Sequence, residues 1–451
     1  MEKKLVTSLK VSSERARVVE VYRDHFSEES EKKSRRGIFG IDDLAEGRVR
    51  ALKMEIIKEE IEKLNGGHEG NSRVCPKCRE KKQIYKGDRA RKLVFDSGEL
   101  EVKRAYYICA NCGESSFPLD EQLGLVDSPE QGRLREKMSL LGTLSAYNHS
   151  PELSRVFLGS SKHAATLRRV TMNEAKLYEE CSPEKELHPE ADSTLYIEVD
   201  GHMCPTREER ENPGDQGYRE AKVGLAFTSK DRVAVDGAED QRVALTDFLL
   251  IAAICSAAQF SKQLKQLLKR CNKKNAKRVA VLADGAVWIW NMVTLLAPSA
   301  IQILDYAHVK EKLWECANIR YGADGDLRHP FMKKMQDLLF ANNVEQVIVE
   351  LCLPDGIDQR LEQIAKYFEK NKERMRYGIF REQGLIIGSG AIESAGKRLA
   401  QGRVKGCGMR WNIDDLNRLL KLRCAFFDQT WKLHWMQQRN LEDDYFEKLA
   451  A

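Results

Sequence analysis

The chain has 451 residues, of which 42% are hydrophobic and 32% charged, with a net charge of +5. These values describe a folded chain long enough for two or more domains, and exclude a disordered or low-complexity one. The longest apolar run, FLLIAAICSAA at 248–258, is about half the roughly 20 residues needed to cross a bilayer. The opening MEKKLVTSLKVSSERARVVE lacks the continuous apolar core of a signal peptide, so a cytoplasmic location is expected.

Residues 1–70 read as an N-terminal helical region. GRVRALKMEIIKEEIEKL (47–64) puts Val49, Leu52, Ile56, Ile57, Ile61 and Leu64 near one helix face, and NGGHEGNS ends it. Residues 71–118 contain CPKC (Cys75, Cys78) and CANC (Cys109, Cys112). Between them QIYKGDRARKLVFDSGELEVKRAYYIC alternates apolar and polar residues around a hairpin signal at Asp96-Ser97-Gly98. Two C-x2-C knuckles on adjacent hairpins match a zinc ribbon, with four thiolates arranged tetrahedrally around one structural Zn²⁺. No thioredoxin-like βαβ surrounds either motif, which disfavours a redox role. Such a ribbon is placed to present Lys103 and Arg104 to DNA. The other eight of the 12 cysteines are scattered singly, as suits buried thiols in a reducing compartment.

Residues 119–185 return to helix. SPELSRVFLGSSKHAATLRRVTMNEA, from Ser150, reads as a helix, a Gly159-Ser160 turn and a second helix. That is the spacing of a helix-turn-helix-like DNA-binding region, with Lys162, His163, Thr166 and Arg169 on the second helix. An ordinary helix pair in a core is the alternative.

From 190 the pattern becomes α/β. STLYIEVDG (193–201) is a predicted strand ending at Asp200, followed by KVGLAFTS (222–229) and RVAVDG (232–237). A long helix is expected over 241–269, then KRVAVLADG (277–285) as a strand ending at Asp284, a helix through VWIWNMVTLLA, and AIQILD (300–305) ending at Asp305. A charge-rich helical block follows, and then GLIIGSG opens a helix that carries Glu393. This order matches a ribonuclease-H-like catalytic core split in two, over 190–308 and 386–425, around an all-helical insertion at 309–385 and followed by a tail at 426–451.

In such a core the first and fourth strands are neighbours, so Asp200 and Asp284 meet at one sheet edge. A helix packed across that edge adds Glu393. Three converging carboxylates suit two Mg²⁺ (or Mn²⁺) ions, which take hard oxygen ligands and act together on a phosphodiester. Each acid taken alone has a plain alternative: Asp-Gly after a strand is a common turn, and a Glu near a helix start suits the helix dipole. Glu198 shares the strand face of Asp200 and competes for the same ligand role.

Residues 390–425 hold eight basic side chains against three acidic ones. Lys397, Arg398, Arg403, Lys405 and Arg410 follow Glu393 closely, as a phosphate-backbone partner would require. A solvated basic helix is the alternative, and Trp411 is either a base-stacking or a core residue. Gly390 to Gly396 encloses five residues, and Arg398 follows Lys397, so the stretch is not a phosphate loop. No G-x-S-x-G or H-E-x-x-H occurs.

Taken together, YIEVDG, VLADGAVWIWN…ILDYAHVKEKL and GSGAIESAGKRLAQGRVKGCGMRW, with GELEVKRAYYIC…FPLDEQLGL upstream, resemble bacterial insertion-sequence transposases of the DDE type. The resemblance is to the ISKra family of the Mutator-like superfamily and runs over residues 37–425. It implies a catalytic triad on Asp200, Asp284 and Glu393. It also implies that Asp305 and His308, from the Asp305-Tyr306-Ala307-His308 motif, line the site near the scissile phosphate. The implied reaction is Mg²⁺-dependent cleavage at terminal inverted repeats and transfer of the freed 3′-OH to target DNA. The implied partners are double-stranded DNA and a second copy of the chain, in a homodimer or larger assembly associated with the nucleoid. Two other readings stay open: a non-catalytic zinc-ribbon DNA-binding regulator, and another two-metal ribonuclease-H-like nuclease.

Overall fold

The computed structural model describes residues 37–80, 83–207, 217–234, 243–322, 325–352 and 358–439. The first 36 residues of the expected N-terminal helical region, 235–237 of the expected strand RVAVDG, and 440–451 of the expected tail lie outside the described residues. Contacts divide the chain into two units. One comprises Met1–Gly142, Tyr147–Val170 and Gln437–Ala451; the other comprises Thr143–Ala146 and Thr171–Met436.

In the first unit, helix α1 (Ile38–Glu62) precedes a four-stranded antiparallel sheet in the order β1 (Ser72–Arg73), β2 (Gln83–Val94), β3 (Glu99–Cys109), β4 (Ser115–Ser116). The β2–β3 turn falls on the predicted Asp96-Ser97-Gly98 and is closed by Phe95 N–H donating to Gly98 O at 2.8 Å. A bulge between Tyr85 and Asp88 uses Gly87 at φ 88°, a conformation glycine reaches without strain. Leu93 and Val102 from the hairpin, Ile61 from α1 and Leu119 from α2 (Pro118–Gln122) form one core cluster. Leu134 and Met138 of α3 (Gly132–Leu144) join Leu158 of α4 (Ser150–Leu158) and Leu167 and Val170 of α5 (Ala164–Glu180) in a second. The helix expected at 47–64 is present, but only part of its apolar face turns inward: Ile61 is buried, whereas Val49 and Ile56 are exposed.

The second unit is built on β5 (Thr194–Pro205), β6 (Tyr218–Thr228), β7 (Arg232–Ala234), β8 (Val243–Leu245), β9 (Leu249–Ala253), β10 (Arg278–Ala283) and β11 (Ile301–Leu304). Five of these form one mixed sheet in the order β11-β10-β5-β6-β9. β10 is parallel to both β5 and β11, while β6 is antiparallel to β5 and β9. The near-continuous apolar runs TLYIEV and RVAVLA suit strands covered on both faces.

The third sheet strand is not the one expected. Arg232–Ala234 pairs with β8 in a separate two-stranded ribbon. β9, LLIAA, takes its place inside the segment expected to be one helix over 241–269. An apolar run without period 2 or 3.6 reads equally as a buried strand or a buried helix. The helix begins later, as α6 (Ala257–Arg270), where Ser256 and Gln259 form a capping box and Phe260, Leu264, Leu267 and Leu268 turn inward. After β10 come α7 (Val287–Leu296) and β11, then α8 (Tyr306–Tyr321), α9 (Gly325–Phe340), α10 (Val344–Cys352), α11 (Gln359–Asn371) and α12 (Tyr377–Glu382). The chain returns as α13 (Gly390–Gly396), a π-helical turn at Lys397–Gln401, and α14 (Ile413–Phe427).

Helices α13 and α6 lie on opposite faces of the sheet. Ile392 N–H on α13 donates to Glu198 Oε2 at 2.7 Å. Gly224, opposite Val199 and so turned to the other face, packs toward Phe260 of α6. No helix among the described residues is long and apolar enough to cross a membrane.

Candidate metal centres

The first unit gathers Cys75, Cys78, Cys109 and Cys112, with all four sulfurs within 4.8 Å of one another. Both knuckles have the same backbone. Cys75 N–H donates to Glu80 O and Cys109 N–H to Glu114 O, each at 2.8 Å, and Arg79 and Gly113 donate back to the first cysteine of each pair. The residue after the second cysteine is left-handed in both, Arg79 at φ 58° and Gly113 at φ 72°. The Cys75–Cys112 and Cys78–Cys109 sulfur pairs stand 3.6 Å apart. That is far beyond a disulfide's roughly 2.05 Å. It is close to the roughly 3.8 Å edge of a tetrahedron built on metal–sulfur bonds of about 2.3 Å. The cluster is therefore shaped to hold one metal ion.

The second candidate sits at one end of the five-stranded sheet. Asp200 lies within β5, opposite Val223 of β6; the strand continues through Gly201 to Pro205 instead of turning at Asp-Gly as the sequence suggested. A Cβ at Gly201 would meet only the carboxylate end of Glu220, a partly exposed side chain that can move aside. Asp284 directly follows β10 and Asp305 directly follows β11. The register of the parallel neighbours, Val199 beside Ala283 and Ala283 beside Leu304, sets one carboxylate per strand along this edge.

Glu393 reaches the edge from α13, and its carboxylate joins Asp200 and His202 in a group whose ligand atoms all lie within 4.8 Å. Asp284 is outside this group: its Oδ1 accepts from Ala286 N–H at 2.9 Å, at the start of α7. His202 takes the place that Asp284 was expected to fill, with Nε2 3.5 Å from Asp200 Oδ2. Strand period is the signal that finds it, because Glu198, Asp200 and His202 alternate onto one face of β5.

Burial raises the Asp200 carboxyl above its ordinary range, and Asp284 raises it further against the pull of Gly201 N–H, His202 and His308. Glu198, fully buried, is pushed to about 8, first by burial and then by Asp305 and Asp200. Its carboxyl group accepts from Ile392 N–H on α13 and lies outside the Asp200–His202–Glu393 group, so it does not take the ligand place for which the strand pattern makes it a candidate. Asp305 is 1% exposed. Burial opposes its charge, but His308 Nδ1 at 2.7 Å and the N–H groups of Ser389 and Ala307 outweigh that and hold it below the usual carboxylate range. His308 is raised to about 9 by that bond, against burial, so it is an imidazolium that also feels Asp200 and Asp284. Crowded carboxylates, two of them pushed toward protonation, are what a divalent cation would relieve.

Two close contacts frame the site. A Cβ on Gly396 of α13 would fall 1.4 Å from His202 Nε2, and one on Gly285 would fall 2.0 Å from Tyr367 Cε2 on α11. Tyr367, unsuspected from the sequence, brings the helical block against the Asp284 turn, and burial raises its hydroxyl to about 12.

The basic residues divide. Lys397 pairs with Glu393 at 3.0 Å, and Lys397, Arg398, Lys405 and Arg410 are exposed. Arg403 is corrected from the expected DNA-binding set. It is 2% exposed, with its guanidinium 5.0 Å from the ring centre of Trp411, so no phosphate reaches it. Trp411 is itself a core residue, donating from Nε1 to Val404 O at 3.1 Å. In the first unit, Lys162 and His163 precede α5 instead of lying on it, and His163 Nδ1 accepts from Ala165 N–H at 3.2 Å. Arg169 is on α5 but is held by Glu130 through two bonds of 2.7 and 2.8 Å. Arg104 is buried over the Phe117 ring and paired with Asp120, which leaves Lys103 as the exposed member of that pair.

No protein-family profile matches the chain, and no curated protein is detectably similar to it in sequence.

Proposed function

We propose that the chain is a DDE-type DNA transposase of a bacterial insertion sequence, with a ribonuclease-H-like core and a structural zinc ribbon. The observation that carries this reading is the placement of Asp200 on β5 level with Asp284 and Asp305, which directly follow the neighbouring parallel strands β10 and β11, with Glu393 brought to Asp200 by a helix laid across the sheet. The strand order, with only β6 antiparallel to its neighbours, supports the core assignment. The sulfur spacing of the cysteine cluster supports zinc.

In this reading Asp200, Asp284 and Glu393 hold Mg²⁺, which would activate the attacking oxygen and stabilise the leaving one. His202 braces Asp200. Asp305 does not bind the ion; it clamps the Ser389 turn that launches α13 and keeps His308 charged. The His308 imidazolium offers a donor to a non-bridging phosphate oxygen, and Lys397 and Arg398 hold the strand being cut. Water attacks the phosphodiester at the element end, leaving a 3′-OH and a 5′-phosphate. The 3′-OH then attacks a target phosphodiester and displaces its 3′ oxygen. DNA at the element ends and the target is the partner, with a second copy of the chain serving the paired end.

The bond from Ala286 to Asp284, and the separation of Asp284 from the Asp200–His202–Glu393 group, favour a second reading: a DNA-binding regulator in which the acids are structural. An excision and integration assay on a marker flanked by the element's own ends separates the two. Loss of transposition in Asp200→Ala, Asp284→Ala and Glu393→Gln supports the transposase. Wild-type transposition in any of the three removes that residue from the triad, and no transposition with intact protein supports the regulator.

A further inference from the structure

A second concentration of positive charge lies on the face of the sheet away from α13. Residues 261–277, SKQLKQLLKRCNKKNAK, carry seven basic side chains and no acid. The fold uses two of them: Arg270 Nε donates to Lys185 O at 2.8 Å, and Lys277 acts on Asp192. Lys262, Lys265, Lys269, Lys273 and Lys274 are exposed and line one surface depression of about 820 Å³, together with the buried Leu268, the half-buried Leu296 and the exposed Leu295. Lys273 Nζ reaches Leu296 O at 3.4 Å, and no ion pair engages the five among the described residues. Asn272, left-handed at φ 45°, reverses the chain so that Lys273 and Lys274 return beside Lys269.

Five ammonium groups around one hollow repel each other unless a polyanion or its counterions neutralise them. Lys262, Lys265 and Lys269 recur at intervals of three and four, which places them in one row along α6 about 10 Å long. One strand of duplex DNA advances about 3.4 Å per phosphate, so the row spans about three phosphates.

The position is distinct from the acidic edge. β9 ends at Ala253, paired with Lys222 beside the Asp200 register, and α6 then carries the chain about 21 Å toward the opposite end of the sheet, where β10 begins.

We propose that this depression is a second DNA-contact surface, which grips duplex backbone without reading sequence and lies remote from the acids. Its choice of partner rests on the transposase reading. Lysine supplies a point charge with no bidentate base geometry, which suits backbone contact. The test is fluorescence anisotropy of the full chain with a random-sequence duplex across a salt series, comparing wild type with the triple variant Lys262→Ala, Lys265→Ala, Lys269→Ala. Alanine favours helix, so α6 is retained, and circular dichroism checks it. The expected result is about 10- to 100-fold weaker binding at low salt and a log–log salt slope shallower by about two to three. An unchanged slope and affinity in a protein whose wild type binds duplex overturns the proposal and leaves the transposase reading intact. A wild type that binds no duplex overturns both. Loss of binding to single-stranded RNA or to phosphatidylserine vesicles, with duplex binding unaffected, assigns the surface to that other partner and overturns the proposal as well.

Discussion

Gly396 and His202 share one space: a Cβ on Gly396 would sit 1.4 Å from His202 Nε2. The helix that delivers Glu393 packs so close to β5 that a side chain at 396 would require the His202 ring to move. Gly396→Ala should therefore act against helix propensity. Alanine ordinarily gains about 1 kcal/mol over glycine inside a helix, yet here the overlap should cost about 1–3 kcal/mol and expel His202 from beside Asp200. Thermal denaturation should show a lower Tm, and metal-dependent activity should fall at least about 10-fold. A raised Tm with full activity would mean that His202 is free to move and braces nothing.

This contact marks the limit of what the sequence discloses. Asp284, Asp305 and Glu393 were legible because each sits just after a strand or near a helix start, and Asp200 because the apolar run before it marks the strand that carries it, although that strand runs on past it. His202 is on the same strand face as Asp200 by simple alternation, but a histidine after Asp-Gly reads as a turn residue when the strand is expected to stop at Asp200. Tyr367 against Gly285 was not legible, since the two are brought together only by the helical block folding back. β9 was hidden for a different reason. LLIAA is apolar on both faces, and only its pairing with β6 separates it from the helix that follows.

Glu198 makes a prediction about pH. Its folded pKa of about 8 lies above its ordinary 4.5, so the folded chain holds a proton that the unfolded chain releases. Its contribution to stability is full below about pH 4.5 and is lost progressively as the pH rises to about 8. In magnesium-free buffer, Glu198→Gln keeps an acceptor for Ile392 N–H and removes the titration. Its Tm should exceed that of the wild type at pH 8, with the gap narrowing toward pH 5. Parallel Tm curves for the two proteins would place Glu198 in a wetter site than the one described.

Asp305 and His308 give a second prediction about pH. Asp305 holds the His308 pKa at about 9 against an ordinary 6.5, so the imidazolium's contribution is full below about pH 6.5 and is lost as the pH passes 9, whereas the Asp305 carboxylate, held below its ordinary range, loses its contribution only as the pH falls through that depressed value. Asp305→Asn should bring the His308 titration, followed by NMR, back toward its ordinary value. An unmoved titration would assign the shift to Asp200 and Asp284 instead.

The cysteine cluster predicts metal content. Purified protein should carry about one Zn²⁺ per chain, and Cys109→Ser with Cys112→Ser should reduce it to near zero and lower the Tm of the unit that contains it. Full zinc content in that double variant would refute the four-cysteine site.

In the transposase proposed above, Asp200, Asp284 and Glu393 act together on DNA through Mg²⁺. The direct measurement is strand cleavage by purified protein on duplexes carrying the DNA that flanks its coding sequence, with and without Mg²⁺, for wild type and for Asp200→Asn, Asp284→Asn and Glu393→Gln. The expected result is Mg²⁺-dependent nicking that releases a 3′-OH at the element end, reduced more than about 100-fold in each variant while DNA binding persists. Cleavage at wild-type rate in the Asp284→Asn variant, or cleavage indifferent to Mg²⁺, would contradict it.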